Sequence, residues 1–375
     1  MRPHASLLTG AVLLFTLRTV AAVADAPYPA STFARLEWGE IVRIGNPEHT
    51  GDNWPIAWIE RDVQFAAYGD GRGFGGRDPR LTIGFARITG VPPSLKGEDV
   101  PTNIDAPQGG GPRGIKASGL IAVGDTLYLF VRNFRPTPED WKHSHLASAR
   151  DGGRTWTWAE WYFSDTFGVP DFVQFGPGNA GARDGFVYVI SQDNDDAYAY
   201  AERTVMARVP EAKVVERASY EFFAGTDAGA APRWSRDIAQ RKPIFSDGRG
   251  TQRASITYNA ALKRYLLTTS HRPAGRLLAA DDGEPRKKGT AASHTAALGV
   301  FDAPEPWGPW TTLYYDDAWS APTVTFHHKF PPAWMSADGR TLWLLFSGLG
   351  GGNYTLCTRR ATLMPAAKSA PLRAR

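Results

Sequence analysis

The chain has 375 residues, of which 42% are hydrophobic and 21% charged, and its formal net charge is +4. This composition is ample for a large hydrophobic core, and the absence of a long basic run argues against nucleic-acid binding. The single cysteine, Cys357, excludes an internal disulfide and a thiolate cluster for zinc. The 39 glycines and 28 prolines favour many short strands over long helices.

Residues 1–26 are typical of a secretory signal peptide. Arg2 precedes the apolar run Leu7–Leu17, and small residues offer cleavage after Ala24 or Ala26. The apolar run is too short to span a bilayer comfortably. The sequence therefore predicts a secreted or periplasmic protein with no membrane attachment after signal cleavage.

A hairpin of two apolar strands around a polar turn recurs along the rest of the chain. The five copies run over residues 52–70, 116–133, 174–193, 253–271 and 329–347. Short strands rich in Val, Ile, Phe, Tyr and Trp, separated by turn residues, predict an all-β fold. Repetition with further strands between the copies predicts the radial blades of a five-bladed β-propeller. We expect one domain over residues 33–364, followed by a disordered tail at 365–375.

Both ends of each hairpin should lie on one face of a propeller, because the innermost strand starts there and the next strand returns to it. The hairpin ends should therefore gather around one central funnel. The candidate substrate-binding residues at these ends are Lys116, Arg132, Asn133, Gln174, Asp193, Arg253, His271 and Lys329.

The first hairpin begins at Asp52 and ends at Asp70, so their carboxyl groups should lie at one end of one blade. Hydrolysis of a glycosidic bond needs two such groups. One protonates the leaving oxygen, and the other acts as nucleophile or as base for water. The alternative is structural: Asp70 forms a turn and Asp52 caps the start of a strand.

The funnel residues include four cations, which favour an anionic glycan because Arg and Lys pair with a sugar carboxylate. Alternatively, the cations only neutralise the aspartates. Trp54 and Tyr198 are further candidates for substrate binding, since aromatic faces stack on sugar rings. No cofactor is predicted. The acidic loop 193–196 has oxygen ligands suited to Ca²⁺, but it lacks the spacing of an EF-hand loop, and we favour a solvated loop.

The segment Ala149–Trp156 resembles the Asp-box of sialidase-like propellers, with Ala149 in place of the usual Ser. In that motif an Asp and a Gly shape a tight hairpin, and a Trp packs beneath it. The motif is structural, so Asp151 is not expected to be catalytic.

Several longer motifs resemble the DUF4185 family. In chain order, over about residues 35 to 363, they are GDNWPIAW, AAYGDGRGFG, KASGLIAVGDTLYLFVRN, GARDGFVYVISQDNDDAY, RASITYNAALKRYLL and MSADGRTLWLLFSG. One branch of that family consists of secreted endo-D-arabinanases on a five-bladed propeller with two catalytic aspartates. By motif position the resemblance places this pair on Asp52 and Asp70. Because the chain resembles another branch, the fold and the acid pair carry over more safely than the arabinan substrate.

The sequence thus predicts a monomeric glycoside hydrolase that cleaves a polysaccharide or oligosaccharide with Asp52 and Asp70. A polysaccharide lyase is the first alternative. In a lyase Arg253, Arg132 or Lys116 would neutralise a uronate carboxylate, and a residue such as Tyr198 or His271 would remove the C5 proton. A sugar-binding propeller without catalysis is the second alternative.

Overall fold

The structure is a computed structural model that describes residues 25–45, 50–107, 114–137, 142–274, 295–348 and 354–366. The signal-peptide prediction falls almost wholly on residues 1–24, and the predicted tail on 367–375; both stretches lie outside the described ranges. Within those ranges no helix is long and apolar enough to cross a bilayer.

The described residues form 22 β-strands and five short 3-10 helices, which confirms the all-β prediction. The first eleven strands are β1 (Ala34–Ile44), β2 (Ile56–Glu60), β3 (Val63–Tyr68), β4 (Leu81–Thr89), β5 (Lys96–Val100), β6 (Ala106–Pro107), β7 (Lys116–Val123), β8 (Thr126–Phe134), β9 (His143–Ala149), β10 (Thr157–Phe163) and β11 (Asp171–Phe172). The others are β12 (Phe186–Gln192), β13 (Ala201–Pro210), β14 (Glu221–Thr226), β15 (Pro232–Ser235), β16 (Pro243–Asn259), β17 (Arg264–Ser270), β18 (Leu298–Ala303), β19 (Thr311–Asp316), β20 (Thr325–Lys329), β21 (Thr341–Gly348) and β22 (Leu356–Pro365). The 3-10 helices span Pro177–Asn179, Glu211–Lys213, Arg217–Ser219, Ile238–Gln240 and Pro332–Trp334.

The strands pair antiparallel in five successive units. Unit 1 is β2-β3-β4-β5, and unit 2 is β7-β8-β9-β10. Unit 3 is β11-β12-β13-β14, with β15 beside β14, and unit 4 is β16-β17-β18-β19. The long strand β16 also pairs with β13, which joins units 3 and 4 in one sheet. Unit 5 is β20-β21-β22 with the N-terminal strand β1 as its fourth strand, because β1 pairs with β22.

Five buried apolar clusters lie between successive units. They link unit 1 to 2, 2 to 3, 3 to 4, 4 to 5, and 5 back to 1. Representative pairs within the clusters, in that order, are Phe65 with Leu129, Phe130 with Phe172, Tyr188 with Ile256, Leu266 with Leu344, and Leu345 with Tyr68. Burial of these side chains supplies the main favourable free energy of the fold, because no disulfide contributes.

The first strands of units 2 and 5 are almost wholly buried, whereas outer strands are more exposed. All residues of β7 except the last are buried, and all five of β20 are buried. The outer strands β5 and β10 consist mostly of exposed or half-buried residues. A polar side chain on a first strand is therefore held in an interior where it needs a partner.

The structure shows a tight turn between β9 and β10 at the predicted Asp-box. Asp151 Oδ1 accepts hydrogen bonds of 2.9 Å from the backbone N–H groups of Arg154 and Thr155. Trp156 is buried and stacks on Phe85 with 5.4 Å between ring centroids. This arrangement gives Asp151 the predicted structural role.

Three of the five hairpins begin and end at or next to the predicted residues, and two do not. The third hairpin starts at Asp171 rather than Gln174, since β11 pairs Asp171 with Ile190. In the fifth hairpin Lys329 is the last residue of the first strand, not its start, because β20 begins at Thr325. Gln174 follows β11, and Lys329 ends β20. Both errors arise because the apolar pattern alone places such polar residues at the start of a strand.

Candidate functional site

Asp52 and Asp70 lie at the same end of the first hairpin, as predicted. The backbone N–H of Asp52 donates to the Gly69 carbonyl, and the N–H of Gly69 donates to the Asp52 carbonyl, each at 2.8 Å. A Cβ at residue 69 would lie 2.5 Å from Asp52 Oδ1, so only glycine leaves room for this carboxyl group. Asp70 follows directly and has a φ of 47°. The two carboxyl groups are thus fixed at one strand pair, and both residues are buried.

Lys116 makes the surroundings of the two carboxyl groups unequal. Its Nζ lies 2.5 Å from Asp70 Oδ1, and both side chains are about 95% buried, with relative exposures of 4% and 5%. Burial raises the pKa of Asp52, and the Asp70 carboxylate raises it further. The cations Lys116 and Arg132 act in the opposite direction, but burial dominates. Asp52 therefore holds its proton to higher pH than an exposed aspartate does.

Residues on or just before three first strands turn a side chain through a left-handed backbone position. Asn53, Arg253 and His327 have φ values of 49°, 51° and 57°. The pairing register shifts at two of them, between Gln252 and Ser255 and between Phe326 and Lys329. A β-bulge of this kind re-aims a side chain and costs backbone strain, which is common near functional sites.

The re-aimed Arg253 lies beside Arg132 and Tyr198. Arg253 Nη1 donates to Asn53 Oδ1 at 2.8 Å. The guanidinium carbons of Arg253 and Arg132 lie 5.5 and 6.0 Å from the centre of the Tyr198 ring. The Tyr198 hydroxyl accepts a 3.0 Å hydrogen bond from Asn133 Nδ2. Four predicted substrate-binding residues, Arg132, Asn133, Tyr198 and Arg253, therefore form one cluster next to the acid pair.

A second layer of polar residues lies further along the first strands. Lys329 Nζ donates to Asp171 Oδ2 at 2.9 Å, and Ser255 Oγ donates to the same oxygen at 2.6 Å. These side chains come from units 5, 3 and 4 and are all buried. The predicted candidate Lys329 thus joins the site, and Asp171 is the partner that neutralises it.

Two residues of the site escaped the sequence analysis. The buried His327 lies near Lys329, Arg132 and Arg253; burial and these charges lower its pKa well below the usual value, so the ring is neutral. The half-buried Tyr354 lies close to the acid pair. Burial raises the pKa of the Tyr354 phenol to about 12, and the Asp52 carboxylate adds to the rise. Neither position carries a local sequence signal, because both depend on contacts between units.

Gln174 and Trp54, two predicted substrate-binding residues, have packing roles in the structure. Gln174 Nε2 donates to the carbonyls of Leu120 and Phe172, at 2.8 and 3.3 Å, and so connects units 2 and 3. Trp54 is only 1% exposed and packs against Tyr68 with 5.2 Å between ring centroids. The indole therefore has a packing role between units 5 and 1, and substrate binding by Trp54 stays a prediction.

Asp193 and His271 have partners of their own outside the cluster. Asp193 forms ion pairs with Arg203 and Arg241, at 2.9 and 2.7 Å. His271 Nε2 lies 3.0 Å from Asp317 Oδ1, and its ring stacks on Tyr315 at 3.8 Å. Burial lowers the pKa of His271 to about 4. These contacts fix strand ends and do not bring either side chain to the acid pair.

The acidic loop that follows β12 is held by hydrogen bonds of its own. Asp196 Oδ1 accepts the backbone N–H of Tyr198 at 2.8 Å, and Gln192 Nε2 donates to Asn194 Oδ1 at 2.9 Å. Asp195 lies 3.9 Å from the Lys142 ammonium. Across the ranges that the structure describes, no group of three or more His, Cys, Asp or Glu side chains could hold a metal ion.

Comparison with solved structures gives remote similarities. A protein from Bacteroides ovatus ATCC 8483, described as a "putative hydrolase", has a TM-score of 0.51 and 10% identity, over 83% of this chain and 85% of that one. A GH43_1 enzyme from Xanthomonas citri has a TM-score of 0.45 and 12% identity, over 89% and 97% of the two chains. The Trypanosoma rangeli sialidase has a TM-score of 0.44 and 9% identity, over 87% and 59%. At these identities only the Bacteroides protein supports an argument, and that argument concerns the fold.

The sequence comparisons identify the family. No curated protein matches the chain significantly. The family model for the domain of unknown function DUF4185 matches residues 109–328, which is more than half of the chain. The matched region includes Lys116, Arg132, Tyr198 and Arg253 of the site. The chain therefore belongs to the DUF4185 family.

Proposed function

We propose that the five units are the blades of a five-bladed β-propeller and that β1 closes the ring. The order of the apolar clusters supports this proposal, because they link each unit to the next and unit 5 back to unit 1. In such a ring the polar ends of the first strands surround the central axis. The acid pair and the cations would then share one funnel.

The function that the site supports best is glycoside hydrolysis by Asp52 and Asp70. The observation that carries this proposal is their unequal setting at one hairpin end: Lys116 pairs with Asp70, and burial raises the pKa of Asp52. Hydrolysis of a glycosidic bond needs one carboxyl group that keeps its proton and one that is ionised. Asp52 would protonate the leaving oxygen, and Asp70 would act as nucleophile or as base for water.

The substrate would be a polysaccharide or oligosaccharide bound by a monomeric, secreted or periplasmic protein. The description of the Bacteroides protein as a hydrolase agrees with this reaction class. An anionic glycan is part of the proposal, because the described site holds four buried cations, Lys116, Arg132, Arg253 and Lys329. Tyr198 and Tyr354 are half-buried, so their rings remain open to a sugar at the edge of the site.

A polysaccharide lyase is the second candidate, and the position of Tyr198 favours it. Its ring lies beside Arg132 and Arg253, which could neutralise a uronate carboxylate while a phenolate removes the C5 proton. His271 does not serve this reaction, because its Nε2 is directed to Asp317. In the lyase the acid pair would have no chemical role.

Product analysis on a panel of plant, algal and bacterial glycans tests the proposal. Hydrolysis would release new reducing ends without ultraviolet absorbance, whereas a lyase product absorbs through its new double bond. We expect the first result. Absorbing products would favour the lyase, and a glycan that binds but stays intact would indicate a sugar-binding protein.

A further inference from the structure

The four cations of the site are not equally available to a ligand. Lys116 is neutralised by Asp70 at 2.5 Å, and Lys329 by Asp171 at 2.9 Å. All four of these side chains are at most 5% exposed. Each ammonium group therefore already has a carboxylate partner in the interior.

Arg132 and Arg253 have no such partner. They are 1% and 3% exposed, and among the described residues neither forms an ion pair. Arg132 Nη1 donates to the Ala117 carbonyl, and Arg253 Nη1 donates to Asn53 Oδ1 at 2.8 Å. The remaining buried atoms Arg132 Nε, Arg132 Nη2 and Arg253 Nε have no hydrogen-bond acceptor in the part of the chain that the structure describes. Unpaired N–H groups of a buried guanidinium are costly to keep.

The two guanidinium groups are also close to each other. Both lie over the Tyr198 ring, and burial together with the charge of Arg132 lowers the pKa of Arg253 to about 10. The neutral ring of His327 lies beside them, and its buried Nδ1 also lacks a partner within the described residues. Two like charges and several open donors therefore converge on one place.

The unpaired atoms of Arg132 have a particular geometry. Nε and Nη2 form one edge of the planar guanidinium, and this edge binds a carboxylate through two parallel hydrogen bonds. Arg253 Nε adds a third donor nearby. A planar monoanion with two oxygens matches these donors, and a sugar hydroxyl does not, because it brings no negative charge.

We propose that Arg132 and Arg253 bind the carboxylate of an acidic sugar next to the bond that Asp52 and Asp70 cleave. The substrate class is therefore a glycan that contains uronic acid. This inference rests on the proposed function for the position of the cleaved bond. The carboxylate recognition itself can be tested without turnover.

The test measures binding of single sugars to the full-length protein by ligand-observed NMR. The matched probes are D-glucuronate against D-glucose, and D-galacturonate against D-galactose, so that each pair differs in the carboxylate. We expect at least one uronate to bind at least about tenfold more tightly than its neutral partner, the effect of one or more charged hydrogen bonds. D-galactose 6-sulfate tests whether a sulfate group can replace the carboxylate, and it should bind more weakly than that uronate.

Variants assign the effect to the arginine pair. Arg253→Met and Arg132→Met should each weaken binding of the uronate at least about tenfold and so remove its advantage over the neutral sugar. Arg253→Lys keeps the charge but removes the planar donors, so it should also weaken binding. Arg359→Met is the matched control, because Arg359 also lies over aromatic rings, Trp38 and Trp319, yet is not in the site.

Three results would overturn the inference: equal or undetectable binding of all the sugars, tighter binding of the sulfate, or uronate binding that survives both methionine variants. A different result would contradict the proposed hydrolase function: folded Asp52 and Asp70 variants that keep their turnover. Uronate binding that depends on the arginines would still support carboxylate recognition in that case.

Discussion

Asp52 and Asp70 show how one lysine can separate the roles of two neighbouring carboxyl groups. Lys116 lies 2.5 Å from Asp70, whose negative charge it stabilises. Asp52 has no ion pair of this length among the described residues, and burial raises its pKa. The difference arises because β7 of the next unit carries Lys116 to the Asp70 side of the hairpin end. Assignment of acid and base therefore depends on a contact between units.

The pH dependence of turnover should report on Asp52. As an acid catalyst it acts only while protonated, so we expect turnover to fall as pH rises through its raised pKa. Lys116→Met removes a charge that lowers this pKa, so the basic limb of the pH profile should move to higher pH. The exposed Lys213→Met is the control and should leave the limb unchanged. A limb that moves to lower pH in Lys116→Met would contradict the assignment.

The same raised pKa has a consequence for stability. The unfolded chain loses the Asp52 proton at lower pH than the folded protein does. The contribution of Asp52 to the free energy of unfolding should therefore decline between the usual aspartate pKa and the raised one as pH increases. Asp52→Asn should flatten this decline in a series of denaturant titrations. An unchanged slope would mean that Asp52 is not protonated over that range.

The turn at the Asp-box leaves little room for a side chain at Gly153. Gly153 has a φ of 83°, and a Cβ there would lie 2.3 Å from Phe65 Cζ. Gly124 in the β7–β8 turn also has a positive φ, 57°, but has open space around it. A substitution at Gly124 thus tests backbone strain alone, and a substitution at Gly153 tests backbone strain together with lack of space.

We expect Gly124→Ala to lower the free energy of unfolding by about 1 kcal/mol, the cost of a left-handed non-glycine residue. Gly153→Ala should lower it by roughly 2 to 4 kcal/mol, because overpacking adds to the same strain. Denaturant unfolding of both variants measures the difference. Equal losses would show that Phe65 moves aside and that the turn is not fixed by its packing.

The residues at which the hairpins begin and end explain which parts of the site could be predicted from the sequence. Asp52, Asp70 and Lys116 lie where clear apolar strands begin or end, and they were predicted correctly as neighbours. Asp171 was missed because the apolar stretch VPDFVQF shows no alternation that marks its start. His327 was missed because a bulge in β20 re-aims it, and a bulge leaves no local pattern in one sequence.

The whole molecule depends on the pairing of its first strand with its last. Nine of the eleven residues of β1 pair with β22, and Leu36 and Ile44 of β1 lie in two of the apolar clusters. Without β1 the edge of β22 and part of both clusters would be exposed to water. The proposed ring would then be weakened on both sides of unit 5, where it meets units 4 and 1.

A chain that begins after residue 45 should therefore lose cooperative thermal unfolding, because it cannot replace this pairing. A chain that ends at Ala366 is the control and should unfold like the full-length protein. Thermal unfolding followed by circular dichroism measures both. A cooperative transition at the full-length temperature in the chain without β1 would contradict the closing role of this strand.

The central claim, catalysis by Asp52 and Asp70, is tested most directly by Asp52→Asn and Asp70→Asn, with turnover per folded molecule and melting temperature measured on the same preparations. Asparagine keeps the shape of the side chain but can neither donate a carboxylic proton nor act as an anion. We expect each variant to lose at least ~100-fold in turnover. Asp52→Asn should keep its melting temperature, and Asp70→Asn should lower it, because Lys116 loses its countercharge. Asp193→Asn, outside the cluster, should retain turnover. Near-normal turnover in either folded site variant would contradict the account.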